Sequence, residues 1–192
     1  MIEEQLDKIY SRDGNIYSLK NREAPPGVSP LYGEMTRFGA DRIIKTFPTR
    51  FTNRKGVFYD LGSGNGRLVM HVSLKSRLSR VVGVEYYEER VARAKSVSSK
   101  IDYPHVAPEF IQGNIFDMDF SDATIVYCDT TVITFAKQVN KQLVPKLPSG
   151  CMVIQSSLTW ADLSLFVDKP PLCFTAPATY NKEKKLYAVK LK

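Results

Sequence analysis

The sequence predicts an α/β protein: a mostly parallel sheet with helices on both faces, closing on a β-hairpin and preceded by a short helical and loop extension. Three observations predict it. From Gly56 onward, short apolar runs alternate with segments of helical spacing. Three glycines at alternate positions, Gly62, Gly64 and Gly66, interrupt the first of these units. The end of the chain then loses the helical rhythm and reads as two strands about a polar turn.

Taken in order, Ile2, Leu6 and Ile9 recur at helical spacing and predict a short amphipathic helix. The stretch NREAPPGVSPLYGE follows, and its prolines and glycines cannot continue a helix. Helical spacing resumes at Phe38, Ile43, Ile44 and Phe47 and is expected to stop before Pro48. Val57–Leu61 is a first strand, and a helix is expected around Leu68–Arg77. Val81–Glu85 is a second strand, Glu88–Lys100 a helix, Glu109–Gln112 a third strand and Thr124–Cys128 a fourth. Val132–Leu147 reads as a helix ended by Pro148 and Gly150, with Cys151–Ser156 as a fifth strand. Leu172–Thr179 and Leu186–Leu191 form the hairpin, its turn expected at Asn181–Lys184. There is no internal repeat. Trp160, near Leu158, Leu163 and Phe166, is expected to pack in a helix.

The 192 residues, 43% hydrophobic and 24% charged, suit one globular unit with a substantial core. No apolar run reaches the length of a membrane span, so no membrane partner is expected. The start, MIEEQLDKIYSRDG, lacks a basic region before an apolar stretch, so an intracellular protein, cytoplasmic or nuclear, is expected. The formal charge is +7, and residues 121–192 carry nine basic groups, all lysine, against five acids. That excess suits a polyanionic partner such as RNA, and equally a solvated surface. Cys128, Cys151 and Cys173 lack metal-ligand spacing, so no metal is expected and all three read as small buried hydrophobes.

Most of the chemical information lies in Phe58-Tyr59-Asp60-Leu61-Gly62-Ser63-Gly64-Asn65-Gly66-Arg67. A glycine loop between a strand and a helix lets backbone approach a ligand at the carboxyl edge of a parallel sheet. The spacing is G-x-G-x-G, which departs from the dinucleotide fingerprint, and no phosphate-loop lysine follows. Asp60 is unsuited to a pyrophosphate and suits a ligand with a cationic amine, such as the methionine end of S-adenosyl-L-methionine. Glu85 ends the second strand, where a carboxylate accepts hydrogen bonds from ribose hydroxyls. Asn114 and Ile115 follow the third strand, where an amide meets an adenine edge and an aliphatic chain its face. Each residue alone has a structural explanation. Their conjunction in this order predicts S-adenosyl-L-methionine as cofactor.

Asp60-Leu61-Gly62-Ser63-Gly64-Asn65-Gly66 resembles motif I of the class I (seven-β-strand) methyltransferases, and Val82-Gly83-Val84-Glu85 is similar to their second motif. A narrower resemblance is to the disruptor-of-telomeric-silencing, non-SET histone lysine methyltransferases. Leu31-Tyr32-Gly33-Glu34-Met35-Thr36 looks like that family's cofactor-covering loop, and Tyr180 and Tyr187 look like an aromatic pair lining its lysine channel. The resemblance spans about residues 30–191. It implies a Rossmann-like fold, a cofactor-covering extension over 1–55 and a catalytic core over 56–192. It also implies that Tyr32, Glu34 and Thr36 help bind the cofactor, Glu34 and Thr36 at its amino-acid end. A histone or nucleosome is the partner it suggests. After the fourth strand the family carries an Asn-Asn-Phe type motif, whereas this chain reads Tyr127-Cys128-Asp129-Thr130-Thr131. The polar character is kept by Asp129 and Thr130.

Methyl transfer from a sulfonium is an in-line displacement, so an enzyme mainly positions the nucleophile and strips its water. Deprotonating a lysine at pH 7 costs about 4.6 kcal/mol from its reference pKa, and a nearby cation and a dry channel reduce that cost. Tyr180 and Tyr187 would line the channel, with Asp129 receiving the ammonium. The segment after the fourth strand has no Pro-Pro-aromatic run to clamp a flipped base, and Cys128 follows a tyrosine rather than the proline that precedes a cytosine-C5 nucleophile. His71 and His105 lack partners at catalytic spacing. Protein-lysine methylation is therefore expected, with RNA or small-molecule methylation, or a non-catalytic partner of methyltransferase fold, as alternatives.

Overall fold

A computed structural model of the chain describes residues 33–157, 167 and 169–192. The expected N-terminal helix, the proline-rich stretch as far as Tyr32, and the Trp160 segment lie outside the described residues.

Seven strands form one sheet: β1 (Val57–Leu61), β2 (Arg80–Glu85), β3 (Glu109–Gln112), β4 (Ile125–Cys128), β5 (Met152–Gln155), β6 (Leu172–Ala178) and β7 (Asn181–Lys190). Their spatial order is β3-β2-β1-β4-β5-β7-β6. The first five are parallel, and β7 enters antiparallel between β5 and β6. This is the expected fold class. Strand β1 is buried at all five positions because helices cover both faces. Alternation sorts its side chains: Phe58 packs with Val69, Val81 and Ile125, whereas Tyr59 and Leu61 pack with Val82, Val126 and Val139.

The helices are α1 (Arg37–Thr46), α2 (Pro48–Phe51), α3 (Arg67–Lys75), α4 (Glu88–Ser98) and α5 (Ile133–Gln142). Thr36 caps α1, its hydroxyl accepting from Gly39 N at 3.2 Å. Pro48, expected only to stop a helix, also begins one, since a ring without N–H suits a first helical position. The expected helix Val132–Leu147 is shorter: α5 ends at Gln142 and Val144–Lys146 forms a 3-10 turn. Pro145 has no N–H to donate back to Lys141, so the α ladder cannot run through it.

The hairpin differs in a way that matters for the site. Ala178 pairs with Asn181, so the turn is Thr179-Tyr180 and the polar run Asn181–Lys184 is strand rather than turn. Alternation along β7 then turns Lys184, Leu186 and Ala188 inward, while Glu183 and Lys185 face out. The hairpin also holds the covering segment. Met35 bridges Ala178, Thr179 N donates to Glu34 O at 2.8 Å, and the Thr36 hydroxyl donates to Pro177 O at 2.8 Å. Cys128 and Cys151 are buried as expected, but Cys173 is exposed, because it lies on the outer strand β6.

Candidate active site

Strand order reverses between β1 and β4, and open α/β sheets bind ligands beyond the strand ends at such a switch. The chain leaves β1 through the glycine loop. Gly62, Gly64 and Gly66 all have positive φ, of 84°, 56° and 82°, which an L side chain rarely adopts. Gly62 N and Ser63 N donate to Val84 O at 2.8 and 2.9 Å, stitching the loop to the end of β2. Gly64 N donates to Glu85 Oε2 at 2.9 Å, and Tyr87 N donates to Oε1 at 3.0 Å. Glu85 is thus buried, fixed by two backbone donors and faced by Arg90 at 3.6 Å.

Beside this loop opens a cavity of about 360 Å³ whose walls include Gly62, Glu85, Tyr87, Ile115, Phe135 and Asp129. One end is apolar, with Ile115, Phe116 and Phe135. The other is acidic. Asp60 is buried, and desolvation followed by the charges of Asp129, Glu85 and Glu34 pushes its carboxyl well above the usual range. Four acids converge here against three cations, Lys184, Arg90 and Arg67, and the one acid in excess favours a further cation. A flat apolar slot beside a cation-seeking end fits a sulfonium nucleoside. Glu85 and Ile115 border the cavity directly, while Asp60, Asn65 and Glu34 are buried behind or beside it. Glu34 also faces Arg67 at 3.9 Å.

Two expected cofactor residues have other commitments. The Thr36 hydroxyl is engaged by the α1 cap and by Pro177 O. The Asn114 side chain closes its own turn, accepting from Phe116 N at 3.2 Å and donating to Asp117 at 3.0 Å. Asn114 still borders the cavity, so its contribution there is its position rather than a free amide. Tyr86, Tyr87, Arg90 and Phe135 line the cavity and escaped the sequence analysis. The Tyr-Tyr pair directly after Glu85 was the signal that could have found the first two.

The segment after β4 carries the second half of the site. Asp129 Oδ1 accepts from Thr131 at 2.6 Å and Ser156 at 2.7 Å, and Oδ2 accepts from Tyr180 at 2.9 Å and from the Lys184 ammonium. Lys184 Nζ also donates to Thr131 at 3.3 Å and sits 4.5 Å from the centre of the Tyr180 ring. A second cavity, of about 350 Å³, is lined by Thr131, Ser156, Tyr180, Lys184 and Tyr187. Thr131 and Tyr180 border both cavities. The expected quartet is therefore only partly brought together. Asp129 and Tyr180 touch, and Tyr187 shares the second cavity without a hydrogen bond to Asp129. Thr130 is turned away: its hydroxyl donates to Ser157 O at 3.0 Å and accepts from Ser157 N at 3.1 Å. Its neighbour Thr131 takes the place expected for it. Lys184 was missed because a lysine inside a polar run gives no sign of burial. Burial holds the Cys128 thiol well above its usual pKa, against a nucleophilic role.

The sheet order, the glycine loop at the switch point and the acid-ended cavity define a class I, Rossmann-like methyltransferase fold. A family model described as a methyltransferase domain matches residues 53–158, more than half of the chain, and the chain belongs to that family. A protein-lysine N-methyltransferase of Saccharolobus islandicus is 33% identical over 91 residues, covering 47% of this chain and 53% of the relative. An RNA methyltransferase from Salinibacter ruber, solved with S-adenosyl-L-homocysteine, superposes with a TM-score of 0.56 at 22% identity, covering 79% of this chain and 89% of that one. Magnesium protoporphyrin IX methyltransferase from Synechocystis PCC 6803, solved with its methyl donor bound, gives a TM-score of 0.62 at 13% identity, covering 95% and 91%. The chain spans about half the length of the first curated relatives it matches. The acid-ended cavity suits a sulfonium nucleoside such as the methyl donor with which the Synechocystis protein was solved. Among the described residues there is no metal-binding cluster, and no helix is long and apolar enough to cross a membrane.

Proposed function

We propose that this chain transfers a methyl group from S-adenosyl-L-methionine to a lysine of a protein substrate. One observation carries the reading: a lysine ammonium already rests beside the cofactor cavity, held by a carboxylate, a hydroxyl and an aromatic face. Asp129, Thr131 and Tyr180 form a seat built for an alkylammonium, and an acceptor lysine needs such a seat. The similarity to a protein-lysine N-methyltransferase supports the same acceptor.

When bound, the cofactor supplies an electrophilic methyl carbon on a positively charged sulfur. The chain's own residues do the rest. Asp60, Glu34 and Glu85 would hold the cationic and ribose portions, and the apolar wall of Ile115, Phe116 and Phe135 would take the base. Asp129 would draw in the acceptor ammonium and accept its proton on the way to solvent, and Tyr180, donating to Asp129, would orient the amine. Excluding water from the channel lowers the amine's pKa, which eases that proton transfer. A histone or nucleosome as acceptor rests on the resemblance of the Gly33–Thr36 segment and the hairpin tyrosines.

Tritiated S-adenosyl-L-methionine, incubated with the chain and with separate pools of histones, nucleosomes, total protein and RNA, tests the reading. Label in lysines of protein is expected. Label confined to RNA would overturn the lysine acceptor, and a chain that binds no cofactor in calorimetry would be a non-catalytic partner.

A further inference from the structure

Lys184 is the one lysine buried among the described residues, 3% exposed, whereas Lys182 and Lys185 beside it on β7 are open to solvent. Strand register puts it there. Lys184 pairs with Ala176, and alternation points its side chain at the segment after β4. Its amine is bonded to Asp129, which itself borders the cofactor cavity, and Asp129 acts on Asp60 at that cavity's acidic end. One carboxylate thus separates this nitrogen from the region that favours the sulfonium.

We propose that Lys184 is itself a methyl acceptor, modified by the site it occupies. The inference rests on the lysine-acceptor reading and adds to it an internal substrate. Lys184 first gives a proton to Asp129 and so to solvent. Its Nζ lone pair then attacks the methyl carbon. The N–C bond forms as the C–S bond breaks, and the C–S electron pair stays on sulfur, leaving the neutral thioether S-adenosyl-L-homocysteine and a secondary methylammonium on Lys184. Charge balances, since one cation is lost at sulfur and one regained at nitrogen. Burial already lowers the Lys184 pKa against the raising effect of Asp129, which favours the first step. Because the donor's binding site and the acceptor belong to one chain, at saturating S-adenosyl-L-methionine the acceptor's effective concentration is fixed by the fold and does not depend on dilution of the protein.

The purified full chain incubated with S-adenosyl-L-methionine, followed by intact mass and by mapping of its proteolytic peptides, tests the proposal. The expected result is the mass of one methylene added at Lys184, with Lys182 and Lys185 unmodified and a first-order rate constant unchanged by dilution. A rate that falls in proportion to dilution means transfer between copies and overturns it. Lysines of added protein labelled while Lys184 stays unmodified also overturn it, and leave the proposed function standing. Label confined to RNA overturns both. A readout independent of turnover is the ratio of calorimetric affinities for S-adenosyl-L-methionine and S-adenosyl-L-homocysteine. In Lys184→Met, removing a cation that stands one carboxylate away from the sulfonium's region should shift this ratio toward the sulfonium form by about tenfold. An unchanged ratio shows that the amine does not act on the sulfonium's region, and overturns the proposal.

Discussion

Asp129 is bound by four side chains, and one of them is a buried cation. Removing its charge leaves the Lys184 ammonium desolvated without its counter-ion. Asp129→Asn should therefore destabilise the fold by about 1–3 kcal/mol, below the full range for buried pairs because the Asp129 side chain is 28% exposed. Urea unfolding measures this. Adding Lys184→Met should recover most of the loss, because the orphaned charge is then gone; a double variant no more stable than Asp129→Asn would refute the pairing. Asp60 makes a pH prediction. Its folded pKa is raised above its unfolded value, so its contribution to stability is fully present below the ordinary carboxylate pKa and is lost as pH rises through the raised one. A cationic ligand favours the ionised form. Affinity for S-adenosyl-L-methionine should thus increase with pH across the same window, with proton release on binding. Calorimetry in buffers of different ionisation enthalpy detects that release, and Asp60→Asn should flatten the dependence.

The hairpin and the covering segment act as one device at the level of elements. Gly33 lies under the Tyr180 ring, so closely that a Cβ there would stand 2.2 Å from two ring carbons. Gly33→Ala must swing the ring aside and break its bond to Asp129. The expected cost is about 1 kcal/mol or more of stability, by overpacking, together with a rise in acceptor KM larger than the change in cofactor affinity. Equal changes in both would assign Tyr180 to packing alone. In the glycine loop, Gly66 is the N-cap of α3 at φ 82°, with the Phe110 ring 2.3 Å from where a Cβ would stand. Gly66→Ala should cost about 1–3 kcal/mol through backbone strain and the ring clash together, read from the shift in thermal unfolding. Much of this was legible. Val57–Leu61 and Glu109–Gln112 match the expected strands residue for residue: the first is buried at every position, and the second, at the sheet edge, keeps only Phe110 buried between polar ends that mark its bounds. The turn after β6 was not legible, since Asn181–Lys184 has the composition of a loop and becomes strand only through pairing with Ala178 and Ala176.

For the whole molecule, the sheet order brings the loop after β1 and the segment after β4 to one edge, and β7 inserts between β5 and β6 to close the far side of the site. A ligand spanning loop, β2 end and β4 end ties three elements of the native sheet that are separate in the unfolded chain. Saturation with S-adenosyl-L-methionine at about a hundred times its Kd should stabilise the chain by about 2.7 kcal/mol, seen as a raised unfolding midpoint. A midpoint unmoved by the ligand would contradict the cofactor site.

Local pattern alone determined the alternation of strands and helices, the glycine loop and the acid at the end of β2, because burial periodicity and positive φ leave marks within a few residues. Tertiary structure decided which polar groups meet. Thr131 rather than Thr130 reached Asp129, Asn114 spent its amide on its own turn, and Lys184 came inside while its neighbours stayed out. The reason is register: side chains on a strand alternate faces, so a slip of one residue in β7 would send Lys184 to solvent, and the pairing that forbids the slip is made with residues far away in the chain.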